Sequence, residues 1–294
     1  MSTTKVVYLE KSDIGSTLTT YVYCNMWQLW AAERMGLRGF INWPNQRNRH
    51  LQPYSDPAAF ARCPNMFEWY FEQPLFPQGS SPQRDLTWEW EHCPELGQHP
   101  FMGQPLDVIR AWYQTHLRFN ADVNARGQAL VAKYGIDFDR TIGITWRGTD
   151  CVTDGRPRTP IQAYFPFIDA ILEKEPGLCL MCTAEEERIL DPLLARYSQA
   201  FKVEEFFSSP LGHMHNPERF SPFSGYERGM QPALMVWLFS KCAHYIKNRS
   251  SSGGVAAWLS NARTIVCLGH TQMLGYGEDV AKAEVNRVLV PMPC

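Results

Sequence analysis

From Thr141 onward the chain repeats one rhythm: a short run of β-branched and apolar residues, a longer stretch with apolar residues at helical spacing, then another short run. This order constrains the fold more than any other feature. Consecutive strands separated by helices rejoin one another as parallel partners, and a parallel sheet must be covered on both faces. The pattern predicts strands over 141–146, 177–183, 244–247 and 264–268 and near 202–207. Helices are expected over about 161–173, 185–197, 226–241 and 252–259.

The amino-terminal part opens in the same way. KVVYL reads as a strand, an apolar helix follows over about 18–35 and ends at Gly36, and LRGFINW supplies a second strand. Over 44–105 the pattern breaks down into proline- and aromatic-rich sequence, with MFEWYFEQ a short helix or strand. So long an irregular stretch is expected to be an insertion that serves binding. Its cluster Trp69, Tyr70, Phe71, Trp88 and Trp90 either stacks on sugar rings or fills a small satellite core. Residues 106–134 carry helical spacing and are expected to form one long or broken linking helix. The fold class expected is therefore α/β, with a mainly parallel sheet in each of two Rossmann-like domains, 1–134 and 135–294.

Composition narrows the function classes. Lys and Arg total 28 against 30 Asp and Glu, so the chain has no electrostatic footprint for nucleic acid or an anionic membrane, and an anionic ligand must meet a local cluster. No apolar run reaches the roughly 18 residues of a spanning helix, and MSTTKVVYLE lacks a signal peptide's hydrophobic region, so a soluble, cytoplasmic protein without membrane insertion is expected. The nine cysteines are an odd count, and Cys24, Cys179, Cys182, Cys242 and Cys267 sit in apolar stretches, which fits reduced core thiols. Cys179 and Cys182 form a CxxC with no second ligand pair nearby.

Two segments carry chemistry. In TIGITWRGTD the alternation of Ile142, Ile144 and Trp146 ends at Arg147, which puts a permanent cation at the carboxyl end of a strand, the edge where open α/β sheets bind ligands. A guanidinium there can grip a diphosphate through paired hydrogen bonds; equally, it can cap a loop or pair with Asp150. NRSSSGG follows a later strand and opens a helix, so Ser250, Ser251, Ser252 and Gly253 offer hydroxyls and free N–H groups to an anion, or serve only as an N-cap. Two strand ends in one sheet, one with Arg147 and one with a hydroxyl-rich helix start, could hold a single nucleotide diphosphate.

The stretches IGITWRGTD, LMCTAEEE and WLFSKCAHYIKNRSSSGGVAAWL, with Pro160 thirteen residues after Arg147, resemble the donor-binding half of the GDP-fucose fucosyltransferases of the α1,6 and nodulation type. The protein O-fucosyltransferases are more distant relatives. The resemblance implies a GT-B-like fold of two facing Rossmann-like domains, the second binding GDP-fucose. The family signature is similar to H-x-R-x-T-D, and Arg147, Thr149 and Asp150 match its later positions, while Ser250 and Ser251 match a serine pair near the nucleotide. IGSTL looks like the glycine loop of the acceptor side. Thr145 stands in the place of the signature histidine, Cys151 where a basic residue is common, and residues 232–237 are apolar where relatives place a carboxylate near the base.

The function expected is transfer of fucose from GDP-fucose to a carbohydrate hydroxyl, inverting and independent of metal. The alternatives are another nucleotide-sugar donor on the same fold, or a sugar- or nucleotide-binding protein without turnover. Arg147 would stabilise the departing diphosphate. Asp13, in SDIGS, and Asp154, in CVTDGRPR, are equal candidates for the base, and each is also a natural turn former beside glycine. Arg156 and Arg158 would add positive charge or be solvated loop residues. His213 and His215 share a loop without nearby carboxylate or thiolate partners, so no metal site is expected. The acceptor and the oligomeric state have no sequence signal.

Overall fold

A computed structural model of the chain describes residues 4–10, 18–43, 54–88, 106–148, 159–208, 223–248, 250–268 and 287–290. The chain divides into two compact units, Met1–Arg126 with Phe220–Leu234, and Gly127–Arg219 with Met235–Cys294. Its architecture is α/β, with a parallel sheet in each unit.

The first part runs β1 (Val6–Leu9), α1 (Leu18–Arg34), β2 (Arg38–Ile41), α2 (Pro57–Arg62), β3 (Phe71–Glu72), β4 (Leu86–Trp88), α3 (Leu106–His116), β5 (Arg118–Phe119) and α4 (Ala121–Tyr134). A parallel sheet of order β2-β1-β4 forms its centre. The helix α1 contains neither glycine nor proline, and it stops where Gly36 takes a left-handed φ of 70° and the N–H of Leu37 turns back to the carbonyl of Ala32. Although it is buried on most of its surface, α1 carries Asn25 and Gln28. Their amides donate to the carbonyls of Leu9, Glu10 and Trp88 at the carboxyl ends of β1 and β4, adding to the backbone N–H groups of Asn42 and Glu10 that Leu9 O and Trp88 O already accept.

The irregular middle is held by side-chain amides rather than by a ladder. Asn65 donates to Ile41 O at 2.8 Å, and Gln73 donates to the same carbonyl at 2.7 Å while accepting from Ile41 N at 3.2 Å, so both cover the outer edge of β2. Asp56 caps α2, and Asn65 caps the 3₁₀ turn Met66–Trp69, which passes directly into β3. Trp69, Tyr70, Phe71 and Trp88 are all buried. Of the two readings of the aromatic cluster, the satellite core is the one these four residues satisfy; Trp90 lies outside the described residues. The expected linking helix is broken at 117–120, where Phe119 pairs with Phe71 and the side chain of Asn120 restarts the helix by accepting from Val123 N.

The second unit holds β6 (Thr141–Trp146), α5 (Phe165–Lys174), β7 (Cys179–Ala184), α6 (Asp191–Arg196), β8 (Ala200–Lys202), the end of α7 (Gly225–Phe239), β9 (His244–Asn248), α8 (Ser251–Leu259), β10 (Thr264–Leu268) and β11 (Arg287–Val290). Among the described residues its six strands are all parallel, in the order β11-β10-β9-β6-β7-β8. Counted along the chain this is the 3-2-1-4-5-6 order of doubly wound sheets, whose direction of winding reverses between β6 and β9. Every residue of β6 is buried, and Ile142, Ile144 and Trp146 enter the core beneath α5 with Ile168 and Leu193. Burying each such side chain contributes roughly 1.5–3 kcal/mol.

The structure departs from the sequence expectations in four places. The helix expected over 185–197 is only Asp191–Arg196, because Arg188 takes a left-handed φ of 63° and Pro192 fits only a first helical turn. The strand expected near 202–207 is Ala200–Lys202, and β11 was not foreseen. Neither 134 nor 135 marks the division of the chain, which falls inside α4 and inside α7. Residues 220–234 group with the first unit because Tyr226 stacks on Tyr70 with ring centres 5.6 Å apart and Arg126 pairs with Glu227 at 2.9 Å.

Candidate functional site

The reversal point places the ends of β6 and β9 side by side, with Thr145 opposite Lys247 in the register. Here Arg147 leaves β6 and the start of α8 follows β9, so the two segments singled out in the sequence meet at adjacent strand ends. Asn248 fastens them. Its Oδ1 accepts from Arg147 N at 2.8 Å and its Nδ2 donates to Arg147 O, which continues the ladder one residue beyond the strands with an amide side chain in place of backbone.

Two further contacts fix the course of the chain at Arg147. Trp146 donates from Nε1 to Thr159 O at 2.8 Å, and its indole lies under Gly148 so closely that a Cβ there would come within 2.1 Å of the ring. Only glycine lets the chain fold over that ring. The guanidinium of Arg147 lies toward β7, with Nε 3.3 Å from Oε1 of Glu185, the residue that follows β7. Both side chains are mostly buried, at 11% and 15% exposure. A carboxylate in this position fixes the orientation of the guanidinium.

At the start of α8, Ser250 is the N-cap: its Oγ accepts from Gly253 N at 2.8 Å. The capping reading of the serine run therefore holds for Ser250, whose hydroxyl keeps its own proton to donate. Gly253 faces inward. A Cβ on it would meet Ser250 Oγ at 2.9 Å, Lys247 Cδ at 3.1 Å and Tyr245 Oη at 3.1 Å, so its missing side chain makes room beneath the helix.

Under that first turn lies a polar layer. The hydroxyls of Thr145 and Tyr245 are 2.9 Å apart, and Tyr164 donates to Thr145 O at 3.0 Å. Burial pushes both phenols above the ordinary tyrosine range, so they remain neutral donors. Lys247 is 2% exposed and donates to Asn248 O at 3.3 Å. It was missed in the sequence because one lysine in a strand of five residues looks like an edge charge, whereas β9 is central. Glu185 was missed because it was assigned to a helix, and Asn248 because an amide carries no charge signal.

Arg147, Ser250, Ser251, Ser252 and Gly253 are thus brought to one edge of the sheet. Thr149, Asp150, Asp13 and Asp154 lie outside the described residues, as do Cys151, Arg156, Arg158, His213 and His215. Cys179 and Cys182 stand three apart on β7 and so project to opposite faces, Cys179 exposed and Cys182 buried with its thiol pushed up by burial, an arrangement unsuited to a shared metal or a disulfide. Among the described residues there is no cluster of three or more His, Cys, Asp or Glu that could hold a metal ion, and no helix is long and apolar enough to cross a membrane.

No protein-family model and no curated protein sequence matches the chain. Solved structures do. The NodZ α-1,6-fucosyltransferase soaked with GDP-fucose aligns over 90% of this chain and 94% of its own, at a TM-score of 0.50 and 14% identity. The fucosyltransferase NodZ from Bradyrhizobium aligns over 90% of this chain and 95% of its own, at 0.47 and 14%. POFUT1 in complex with GDP-fucose aligns over 91% and 98%, at 0.46 and 10%. The first of these likenesses shows that the chain shares the fold of that fucosyltransferase structure.

Proposed function

We propose that the chain is a glycosyltransferase that takes fucose from GDP-fucose and passes it to a hydroxyl of a carbohydrate acceptor, with inversion and without a metal. The observation that carries this reading is the meeting of Arg147 and the start of α8 at the reversal point of the second sheet, held there by Asn248. Ligands of doubly wound sheets bind at such a point. The likeness of fold to a fucosyltransferase soaked with GDP-fucose supports the choice of donor.

In the reaction a carboxylate, Asp13 or Asp154, takes the proton of the acceptor hydroxyl. The oxygen forms a bond to the anomeric carbon as the bond from that carbon to the β-phosphate oxygen breaks, and the diphosphate leaves with the electron pair. Arg147, Thr149, Asp150 and the N–H and hydroxyl groups of Ser250, Ser251, Ser252 and Gly253 hold the nucleotide. The growing charge on the leaving oxygen is met by the guanidinium and the positive end of α8, which can lower the barrier by several kcal/mol.

Donor hydrolysis tests the reading. The wild type is expected to release fucose slowly from GDP-fucose into water, and Arg147→Ala to reduce that rate at least a hundredfold. A wild type that binds the donor without releasing sugar is a binding protein, and a melting temperature raised by UDP but not by GDP refutes the choice of nucleotide.

A further inference from the structure

Lys247 has no part in the chemistry just described, and its surroundings do not account for it. The residue is 2% exposed, and among the described residues its one hydrogen bond is the 3.3 Å contact to the carbonyl of Asn248, at the carboxyl edge of the sheet. No carboxylate lies within ion-pair distance of it among the described residues. An ammonium has three donors and a large desolvation cost, which a single carbonyl does not offset. Space has nevertheless been made for it: the chain passes beneath the first turn of α8, where Gly253 leaves the room, and the neighbouring hydroxyls of Tyr245 and Ser250 bring no negative charge. The helix above adds the positive end of its dipole to the same spot. Two sources of positive potential are stacked at one sheet edge, and among the described residues no carboxylate pairs with Lys247.

We infer that Lys247 is an anion-binding residue, a fixed charge behind the start of α8 whose counter-ion is the diphosphate of the bound nucleotide. The inference rests on the nucleotide-sugar reading above for the identity of the anion, but not for the existence of the anion site. It accounts for a lysine in a fully buried strand as a charge kept for binding at a cost in stability.

The test is Lys247→Met, which keeps the length of the side chain and removes the charge. Affinities for GDP, GMP and guanosine are measured by calorimetry, with melting temperatures of the free proteins. The variant is expected to melt no lower than the wild type, to bind GDP at least tenfold more weakly, GMP less weakened, and guanosine unchanged. An equal loss for all three, or no loss for GDP, overturns the inference, since a structural role does not grade with ligand charge. Lys247→Gln serves in the same way should the methionine variant misfold. If the wild type binds none of the three, inorganic pyrophosphate separates the two claims. Stabilisation by pyrophosphate that depends on Lys247 keeps the anion site and refutes the nucleotide; no stabilisation refutes both.

Discussion

Replacing Asn248 tests whether the two strand ends are held as one site. Its amide makes reciprocal bonds to Arg147 N and Arg147 O, and the residue is 2% exposed, so truncation to alanine removes two hydrogen bonds and leaves two backbone groups seeking partners. At about 1 kcal/mol for each net bond, rising toward 3 kcal/mol for a group left unsatisfied, Asn248→Ala is expected to cost roughly 2–4 kcal/mol. For a domain of this size that lowers the melting temperature by roughly 5–15 °C. Freed from the ladder, Arg147 is expected to shift, and a displacement of about 1 Å reduces donor hydrolysis by roughly a hundredfold. Asn248→Asp adds a sign. An ionised carboxylate keeps the acceptor for Arg147 N but points its second oxygen at Arg147 O, so the folded state favours the protonated acid and raises its pKa. Stability of that variant is then present below the ordinary aspartate range and lost as the pH rises through the raised value. Melting curves from pH 4 to 8 should show the gap to the wild type narrowing as the pH falls. An alanine variant that melts within about 1 °C of the wild type with unchanged hydrolysis, or an aspartate variant whose gap is independent of pH, refutes the account.

Three other perturbations follow from the same geometry. Glu185→Gln removes a charge from the mostly buried pair with Arg147, so the free protein should melt lower while GDP raises its melting temperature by more than it raises that of the wild type; an equal ligand shift would show that Arg147 does not meet the nucleotide. Gly148→Ala places a methyl within 2.1 Å of an indole fixed by its bond to Thr159 O, and is expected to destabilise by about 1–3 kcal/mol, measured by chemical denaturation; a variant as stable as the wild type contradicts the packing. His244 is held below the ordinary histidine range, first by burial and also by the Arg263 charge, against the pull of Glu175 at 3.1 Å. Its neutral form is therefore the folded one, and its contribution is present above the usual pKa of 6.5 and lost as the pH falls from there through the depressed value. Relative to His244→Gln, the wild type should lose stability between pH 7 and 5, and a constant difference would refute this.

The four central strands of the second sheet, β10, β9, β6 and β7, were legible because buried β-branched runs bounded by glycine and polar residues have few other ways to fold. Thr141–Trp146 and Thr264–Leu268 match their expected bounds to the residue. Arg147 and the serine run were legible as strand-end features, and their adjacency followed once β6 and β9 were found to be neighbours, a pairing that no local pattern encodes. The same gap explains the other misses. Lys247, Asn248 and Glu185 owe their roles to which strand lies beside which, and in the sequence each looks like an ordinary polar residue. In the middle segment Asn65 and Gln73 replace a ladder with side-chain amides, so that region has packing without periodicity and read as irregular.

A crystal structure of the protein with GDP tests the central claim most directly. The expected result is diphosphate density at the ends of β6 and β9, with phosphate oxygens about 2.7–3.0 Å from the guanidinium of Arg147 and from N–H groups at the start of α8. GDP bound elsewhere, with Arg147 still engaged by Glu185 and no phosphate at the helix start, contradicts it.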